Sequence, residues 1–332
     1  MAQSQLEQLR QYSVIVVDTG DIEAMERFGP RDATTNPSHI TNAAQMPKYQ
    51  PILDGELLQA RSELGQDAAA AKVANLAFQR LAIAWGKRIL DVLPGRVSTE
   101  VDARLSYDTE GTKAAARSII AQYEAVGIDR KRILVKIAAT WEGIRAAEVL
   151  EKEGIHCNLT LIFALSQAAA CADAAVTLIS PFCGRVLDWY RKKYNRDYQG
   201  AEDPGVISVT RIYNYFKKFG YKTEVMGASF WTPGQVAELV GCDLLTIAPK
   251  VLVQLEECTD PMPRRLTPEA AQAMPIERLV VDSKERFEAL LAADEMATTK
   301  LAEGIEGFSS ALIDLENQLV KRLQELEAKT TA

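Results

Sequence analysis

Ile133-Leu134-Val135-Lys136-Ile137-Ala138-Ala139-Thr140-Trp141-Glu142-Gly143 sets one lysine inside an apolar, β-branched run. A run of that kind reads as a strand buried on both faces. Thr140 as a cap and Gly143 behind it then open a helix. Strand passing directly to helix is the repeating unit of an α/β fold with a parallel sheet. A lysine buried in such a strand is costly unless it is paired or works as an amine. Burial lowers a lysine's pKa, and a neutral amine can attack a carbonyl to form a Schiff base.

The same unit recurs outward from this stretch. Strands are expected at Ser13–Asp18, Ala33–Pro37, Val97–Asp102, Ile133–Ala138, Cys157–Phe163, Thr177–Phe182, Glu224–Ser229 and Leu244–Ala248. Helical sequence follows each one. The 40–93 segment reads as long and mostly helical, most clearly over 68–90, and a short amphipathic helix with Leu6 and Leu9 precedes the first strand. Eight strand-helix repeats without a composition break predict a (β/α)8 TIM barrel, about residues 13–258, as a single domain. An open doubly wound sheet is the rival. It would carry a Gly-rich phosphate loop after its first strand, where this chain has Asp18-Thr19-Gly20-Asp21. A C-terminal helical extension, about 265–332, bears an apolar stripe from Phe287 through Leu301, Ile305, Phe308 and Leu312 to Leu323. That stripe is expected on the outside of the barrel or in a subunit contact.

Composition removes several classes of function. The 332 residues carry a net charge of −7, which offers no basic field for nucleic acid. The five cysteines lack CxxC spacing, and free thiols are expected. With His39 and His156 as the only imidazoles, a histidine-rich metal site is not expected. No apolar stretch is long enough for a signal peptide or a membrane span, and a cytoplasmic location is expected.

Catalytic groups of a barrel come from the C-terminal ends of several strands. Side chains two apart share a face, so Lys136 points with Leu134 and Ala138, while Val135 and Ile137 face the helices. The same phase brings in Asp18, Asn36, Glu100 with Ser98, Asn158 with Thr160, Ser180 and Ser229. Singly, each has an ordinary reading as a helix cap, a turn former or a salt bridge. Together they supply one amine, two carboxylates and several neutral hydrogen-bonders. Schiff-base chemistry requires those parts: a nucleophile, proton shuttles, and groups that hold hydroxyls.

Two stretches, Asp32-Ala33-Thr34-Thr35-Asn36-Pro37-Ser38 and the Lys136 run, resemble the signature motifs of transaldolase. So do VSTEVD at 97–102, CNLTLIF at 157–163, ISPF at 179–182 with Gly184-Arg185, and MGASF at 226–230. The match runs the length of the chain in order and looks like the longer, bacterial or cyanobacterial type. The resemblance implies a cofactor-free, metal-free barrel. It implies transfer of a dihydroxyacetone unit from sedoheptulose 7-phosphate to glyceraldehyde 3-phosphate, giving erythrose 4-phosphate and fructose 6-phosphate, in the non-oxidative pentose phosphate pathway. By position, Lys136 resembles the Schiff-base lysine and Asp18 the acid/base at the carbon–carbon bond. Glu100 and Thr160 resemble the pair that positions a catalytic water. Asn36, Asn158 and Ser180 resemble the groups that hold substrate hydroxyls, with Thr34 and Phe182 beside them. Arg185 and Ser229 resemble phosphate binders. A homodimer is expected on the same ground.

One position departs from the pattern. The family usually follows Gly-Ala-Ser-Phe with arginine, and this chain has Trp231. Tryptophan makes no charge-assisted bond to phosphate, so weakened phosphate binding is expected unless the ring turns outward and another cation substitutes. Cys183, where aliphatic residues are common, is a smaller change. Two other readings compete. Short relatives cleave fructose 6-phosphate outright, but they tend to have tyrosine where Phe182 stands and lack the C-terminal helices. A non-catalytic binding barrel has Trp231 as its only support.

Overall fold

In the computed structural model, which describes residues 2–330, eight parallel strands close on themselves in sequence order. They are β1 (Val14–Asp18), β2 (Asp32–Thr34), β3 (Val97–Glu100), β4 (Ile133–Ala138), β5 (Cys157–Ile162), β6 (Leu178–Pro181), β7 (Glu224–Gly227) and β8 (Leu244–Ile247). β1 pairs with β8, from Val14 opposite Leu244 to Val17 opposite Ile247, and that closure excludes the open sheet. Every residue of β4 and β5 is buried, so the apolar positions of both strands face either the helices or the lumen, and Lys136, Asn158 and Thr160 are the polar interruptions.

Several boundaries differ from expectation, each for a local reason. β2 stops at Thr34, and Asn36 leaves the sheet to cap the helix Pro37–Ala44, its Oδ1 accepting from the His39 N–H at 2.9 Å. β7 stops at Gly227; Ala228 still bridges Phe182, and Ser229, with φ +59°, turns the chain out of the extended conformation. The segment 40–93 is not one long helix. It contributes to Pro37–Ala44, then to Gln50–Leu64, which ends at the left-handed Gly65, and to Ala70–Val92.

Alternation sorts β4 as expected. Val135 and Ile137 join the layer between barrel and helices, while Leu134 joins an inner cluster with Val16, Leu178, Met226 and Leu244. Gly143 permits the turn out of β4: a Cβ there would lie 2.2 Å from the Ala138 carbonyl oxygen. Thr140 closes the same turn by accepting from the Gly143 N–H at 2.9 Å.

The lumen has three levels. At the bottom, Asp32 accepts from the Arg96 backbone N–H at 2.8 Å, from Arg96 Nη2 at 2.9 Å and from Arg31 Nη2 at 2.9 Å. Arg96 Nη1 reaches Glu224 Oε2 at 2.7 Å, tying the start of β7 to β2 and β3. The inner apolar cluster fills the middle. Above it lies a polar level that includes Thr34, Ser98, Lys136, Asn158, Ser180 and Thr246, all buried.

The C-terminal helix Glu295–Thr330 packs on its own barrel, one of the two placements expected for its stripe, and in addition reaches over the mouth. Leu301, Phe308, Leu312, Leu315, Leu319 and Leu323 are buried on their own chain. The helix crosses from the helix Gly184–Tyr194 and β5 to the helices that follow β2. It passes over the mouth, where Phe308 joins Ala138, Phe163 and Phe182. A homodimer would have to use another face. The last two residues of the expected extension, Thr331 and Ala332, lie outside the described residues.

The ionic network at the bottom gives a stability prediction. Burial disfavours the Asp32 charge, but the Arg31 hydrogen bond and the Arg96 charge outweigh it and hold the carboxyl below its ordinary value. A lowered folded-state pKa adds stability above the unfolded pKa of about 4, and that stability is lost as pH falls through the folded value. Asp32→Asn should therefore cost about 3 kcal/mol at pH 7 in denaturant unfolding, by taking the charged acceptor from the Arg31 and Arg96 donors and leaving Glu224 as their remaining carboxylate. Its deficit should shrink as the parent is acidified. A parent-like midpoint at pH 7 would show that the network adds nothing.

Candidate active site

A cavity of about 230 Å³ opens at the C-terminal ends of the strands. Its wall includes Asp18, Thr34, Asn36, Lys136, Thr160, Ser180, Phe182, Arg185, Ser229 and Trp231, so one space gathers ten of the twelve expected site residues. The other two stand just behind it. Glu100 is reached through Lys136, and Asn158 lies under Ser180. A larger groove of about 870 Å³ lies outside the barrel between the helix Pro204–Lys218 and residues 265–279. Its Arg265 and Arg278 are already ion-paired, with Glu238 and Asp173.

Lys136 Nζ lies 3.1 Å from Glu100 Oε2, and the two side chains are 7% and 5% exposed. Strand register makes them neighbours, Glu100 opposite Lys136 across the β3–β4 pair. The approach is an ion pair rather than a directed hydrogen bond, and Glu100 Oε2 has no hydrogen-bond donor among the described residues. Burial pushes the Glu100 carboxyl above its ordinary range, against the pull of the Lys136 and Arg185 charges. A carboxyl that favours its neutral form can take the lysine's proton and leave a nucleophilic amine. Thr160 Oγ1, in the neighbouring strand, is buried without a hydrogen-bond partner among the described residues.

Hydroxyl chemistry fixes the other contacts. Asp18 Oδ1 accepts from Thr34 Oγ1 at 2.9 Å, and Thr34 Oγ1 lies 2.8 Å from Thr246 Oγ1. An ionised carboxylate only accepts, so Thr34 donates to Asp18 and Thr246 donates to Thr34. Ser180 Oγ donates to Asn158 Oδ1 at 2.5 Å, and Asn158 Nδ2 donates to Ser98 Oγ at 3.0 Å. The Asn158 amide is thereby locked with its oxygen toward the Ser180 that lines the cavity.

At the mouth, the Arg185 guanidinium lies over the Phe182 ring at 5.0 Å and the Phe308 ring at 5.5 Å. Among the described residues it makes no hydrogen bond or ion pair. Burial draws its pKa down while the carboxylates of Glu100 and Asp18 draw it up. Trp231 stands at the rim, 47% exposed, with its indole N–H donating to Asp188 Oδ2 at 3.1 Å. The ring lies against Gly184, where a Cβ would come within 2.6 Å of the indole nitrogen. Lys136 and Arg185 are the only lysine or arginine side chains in the cavity wall among the described residues.

Six residues of the cavity wall were not singled out from sequence, and His39 and Phe308 are the two that bear most on its charged groups. His39 approaches Asp18 Oδ1 with Nδ1 at 3.6 Å and Asn36 Nδ2 with Nε2 at 3.4 Å. Its place three residues after a helix cap was a signal for this, because that turn sits at a strand end. Phe308 had no local signal: it is one apolar residue in a long stripe.

The family model for transaldolase/fructose-6-phosphate aldolase matches residues 15–319. A protein named transaldolase from Gloeobacter violaceus is 62% identical over 99% of this chain and 84% of its own length. Another of that name, from Acidobacterium capsulatum, is 62% identical over 99% of this chain and 98% of its own. One from Nostoc punctiforme is 61% identical over 100% of this chain and 99% of its own. With eight parallel strands closed around a buried lysine, and with identity of this order over nearly its whole length, the chain belongs to the transaldolase/fructose-6-phosphate aldolase family of enzymes.

Proposed function

We propose that this chain is a transaldolase acting through a Schiff base on Lys136. It moves a dihydroxyacetone unit from sedoheptulose 7-phosphate to glyceraldehyde 3-phosphate, releasing erythrose 4-phosphate and forming fructose 6-phosphate. This is a step of the non-oxidative pentose phosphate pathway, and a cytoplasmic setting follows from that reading. The Lys136–Glu100 pair carries the proposal, because a buried amine beside a carboxyl of raised pKa is the arrangement imine formation requires.

Lys136 adds to the donor's ketone. Glu100 accepts the ammonium proton and returns it to the carbinolamine hydroxyl, which leaves as water when the imine forms. Asp18 then removes the proton from the hydroxyl next to the breaking carbon–carbon bond. The bonding electrons pass into the protonated imine as an enamine, and the aldehyde departs. The enamine attacks the acceptor aldehyde, and the steps reverse. Thr34 holds Asp18 by Oδ1, which leaves Oδ2 for the substrate. Ser180, Asn158 and Asn36 are assigned to the sugar hydroxyls, and Thr160 works with Glu100 on the proton path. Phe182 supplies no hydroxyl to direct water at the enamine, which favours transfer over outright cleavage to free dihydroxyacetone. Arg185 and Ser229 take the phosphate.

Trp231 puts an indole already bonded to Asp188 where a second cation would help. Among the described residues no lysine or arginine beyond Lys136 and Arg185 lines the wall, so one charged contact is missing, worth about 1.5–3 kcal/mol or roughly 10- to 100-fold in affinity.

Three measurements test this reading. Incubation with fructose 6-phosphate followed by borohydride should place a stable adduct on Lys136 by peptide mass spectrometry, and its absence would sink the mechanism. Glu100→Gln should lower kcat by about 100-fold or more, as loss of a proton shuttle does; a loss of less than threefold would remove Glu100 from that role. Trp231→Arg should lower KM for phosphorylated donor and acceptor by about 10- to 100-fold. An unchanged KM would mean that the site does not lack that cation.

A further inference from the structure

The guanidinium of Arg185 poses a physical problem that the strand ends do not solve. Four carboxylates, those of Glu100, Asp18, Asp188 and Glu303, act on its charge. Yet among the described residues it pairs with none of them. Something else holds a buried cation in place. Two aromatic rings stand against it, Phe182 at 5.0 Å and Phe308 at 5.5 Å.

Phe182 comes from the end of the barrel, next to β6, and is braced edge-on by Phe163 with ring centroids 5.5 Å apart. Phe308 comes from the far end of the sequence. Its position depends on how the C-terminal helix seats on the mouth. Leu161, near the end of β5, has φ +57°, at a break in register with β6. Gly304 receives it: a Cβ on Gly304 would lie 2.7 Å from Leu161 Cδ2. Phe308 follows four residues later, on the same helix face. It is 4% exposed and lies 5.5 Å from both Lys136 Nζ and the Arg185 guanidinium carbon.

We infer that Phe308 is a positioning residue for Arg185, clamping the guanidinium against Phe182 so that its N–H groups stay free for an anionic oxygen cluster on the substrate. This rests on the assignment of Arg185 to phosphate made above. A ring face holds a cation without consuming any of its five donors. A carboxylate would consume at least one and would compete with phosphate for the rest. Without the clamp, Arg185 can turn to Asp188 or Glu303.

The test uses the full chain with Phe308→Leu, which keeps apolar bulk but removes the ring face, and Phe308→Tyr, which restores the ring. Leu should raise KM for fructose 6-phosphate by about 5- to 30-fold, with kcat within about threefold and KM for unphosphorylated fructose unchanged. Binding of inorganic phosphate, measured by calorimetry, should weaken by a similar factor, and Tyr should recover most of both losses. An equal rise in KM for both donors would overturn the inference, since loss of general packing does not distinguish phosphate. So would Leu binding phosphate as tightly as the parent. The phosphate titration needs no turnover, so it judges the clamp separately from the borohydride test of the Lys136 reaction.

Discussion

A lysine and a glutamate enclosed 3.1 Å apart constrain most of this molecule. Removing two charges from water is expensive, and their mutual attraction repays it only with good geometry. The barrel provides that geometry through register. Adjacent parallel strands set Glu100 opposite Lys136, and alternation turns both inward. Below them the lumen is closed by Val16, Leu134, Leu178, Met226 and Leu244. The bottom of the barrel is therefore closed beneath the pair, and the cavity that Lys136 lines opens at the mouth.

The barrel holds a second group of inward charges, and the contrast between the two is informative. Asp32, at the bottom, accepts five hydrogen bonds from Arg31 and Arg96. Its carboxyl is held below its ordinary value. Glu100, at the top, has one cation beside it, an oxygen without a hydrogen-bond donor among the described residues, and a carboxyl pushed up. A saturated carboxylate fastens strands together and has no proton to exchange. An under-satisfied one keeps its proton negotiable. The same residue class in the same lumen thus binds strands at one end and, on the proposed mechanism, moves protons at the other.

Sequence reached the upper level of the barrel well because period-2 alternation is a strict rule. Given strands at the right places, Lys136, Glu100, Asn158 and Ser180 could face only one way. It was weaker where the chain leaves the strand. Asn36 and Ser229 were read as strand ends, but one is a helix cap and the other adopts a left-handed turn. In both cases a local backbone preference overrides the ladder, yet the side chain still reaches the cavity wall. His39 was overlooked because its contact with Asp18 follows from that cap. Phe308 was illegible for a different reason. Its helix was recognisable from its apolar stripe, but periodicity gives a face and not what that face covers. Gly304 meeting Leu161 decides that, and the pair is far apart in sequence.

Charge balance explains why so remote an element belongs to the site. Lys136 and Arg185 face Asp18 and Glu100, two cations against two carboxylates, so the cavity has little net attraction for a phosphorylated sugar when all four are ionised. Attraction must come from a cation that is not already committed. Strand ends are poor at supplying one, because they crowd carboxylates and cations together and oppositely charged neighbours pair. The proposed clamp of Phe182 and Phe308, whose rings lie 5.0 and 5.5 Å from Arg185, would keep it from those partners without neutralising it. Trp231 at the rim is bonded to Asp188, and among the described residues Lys136 is the only other lysine or arginine of the cavity wall. On the proposed assignment of phosphate to Arg185, the affinity of the site rests on one guanidinium, whose freedom would depend on a helix that crosses the barrel mouth from the far end of the sequence.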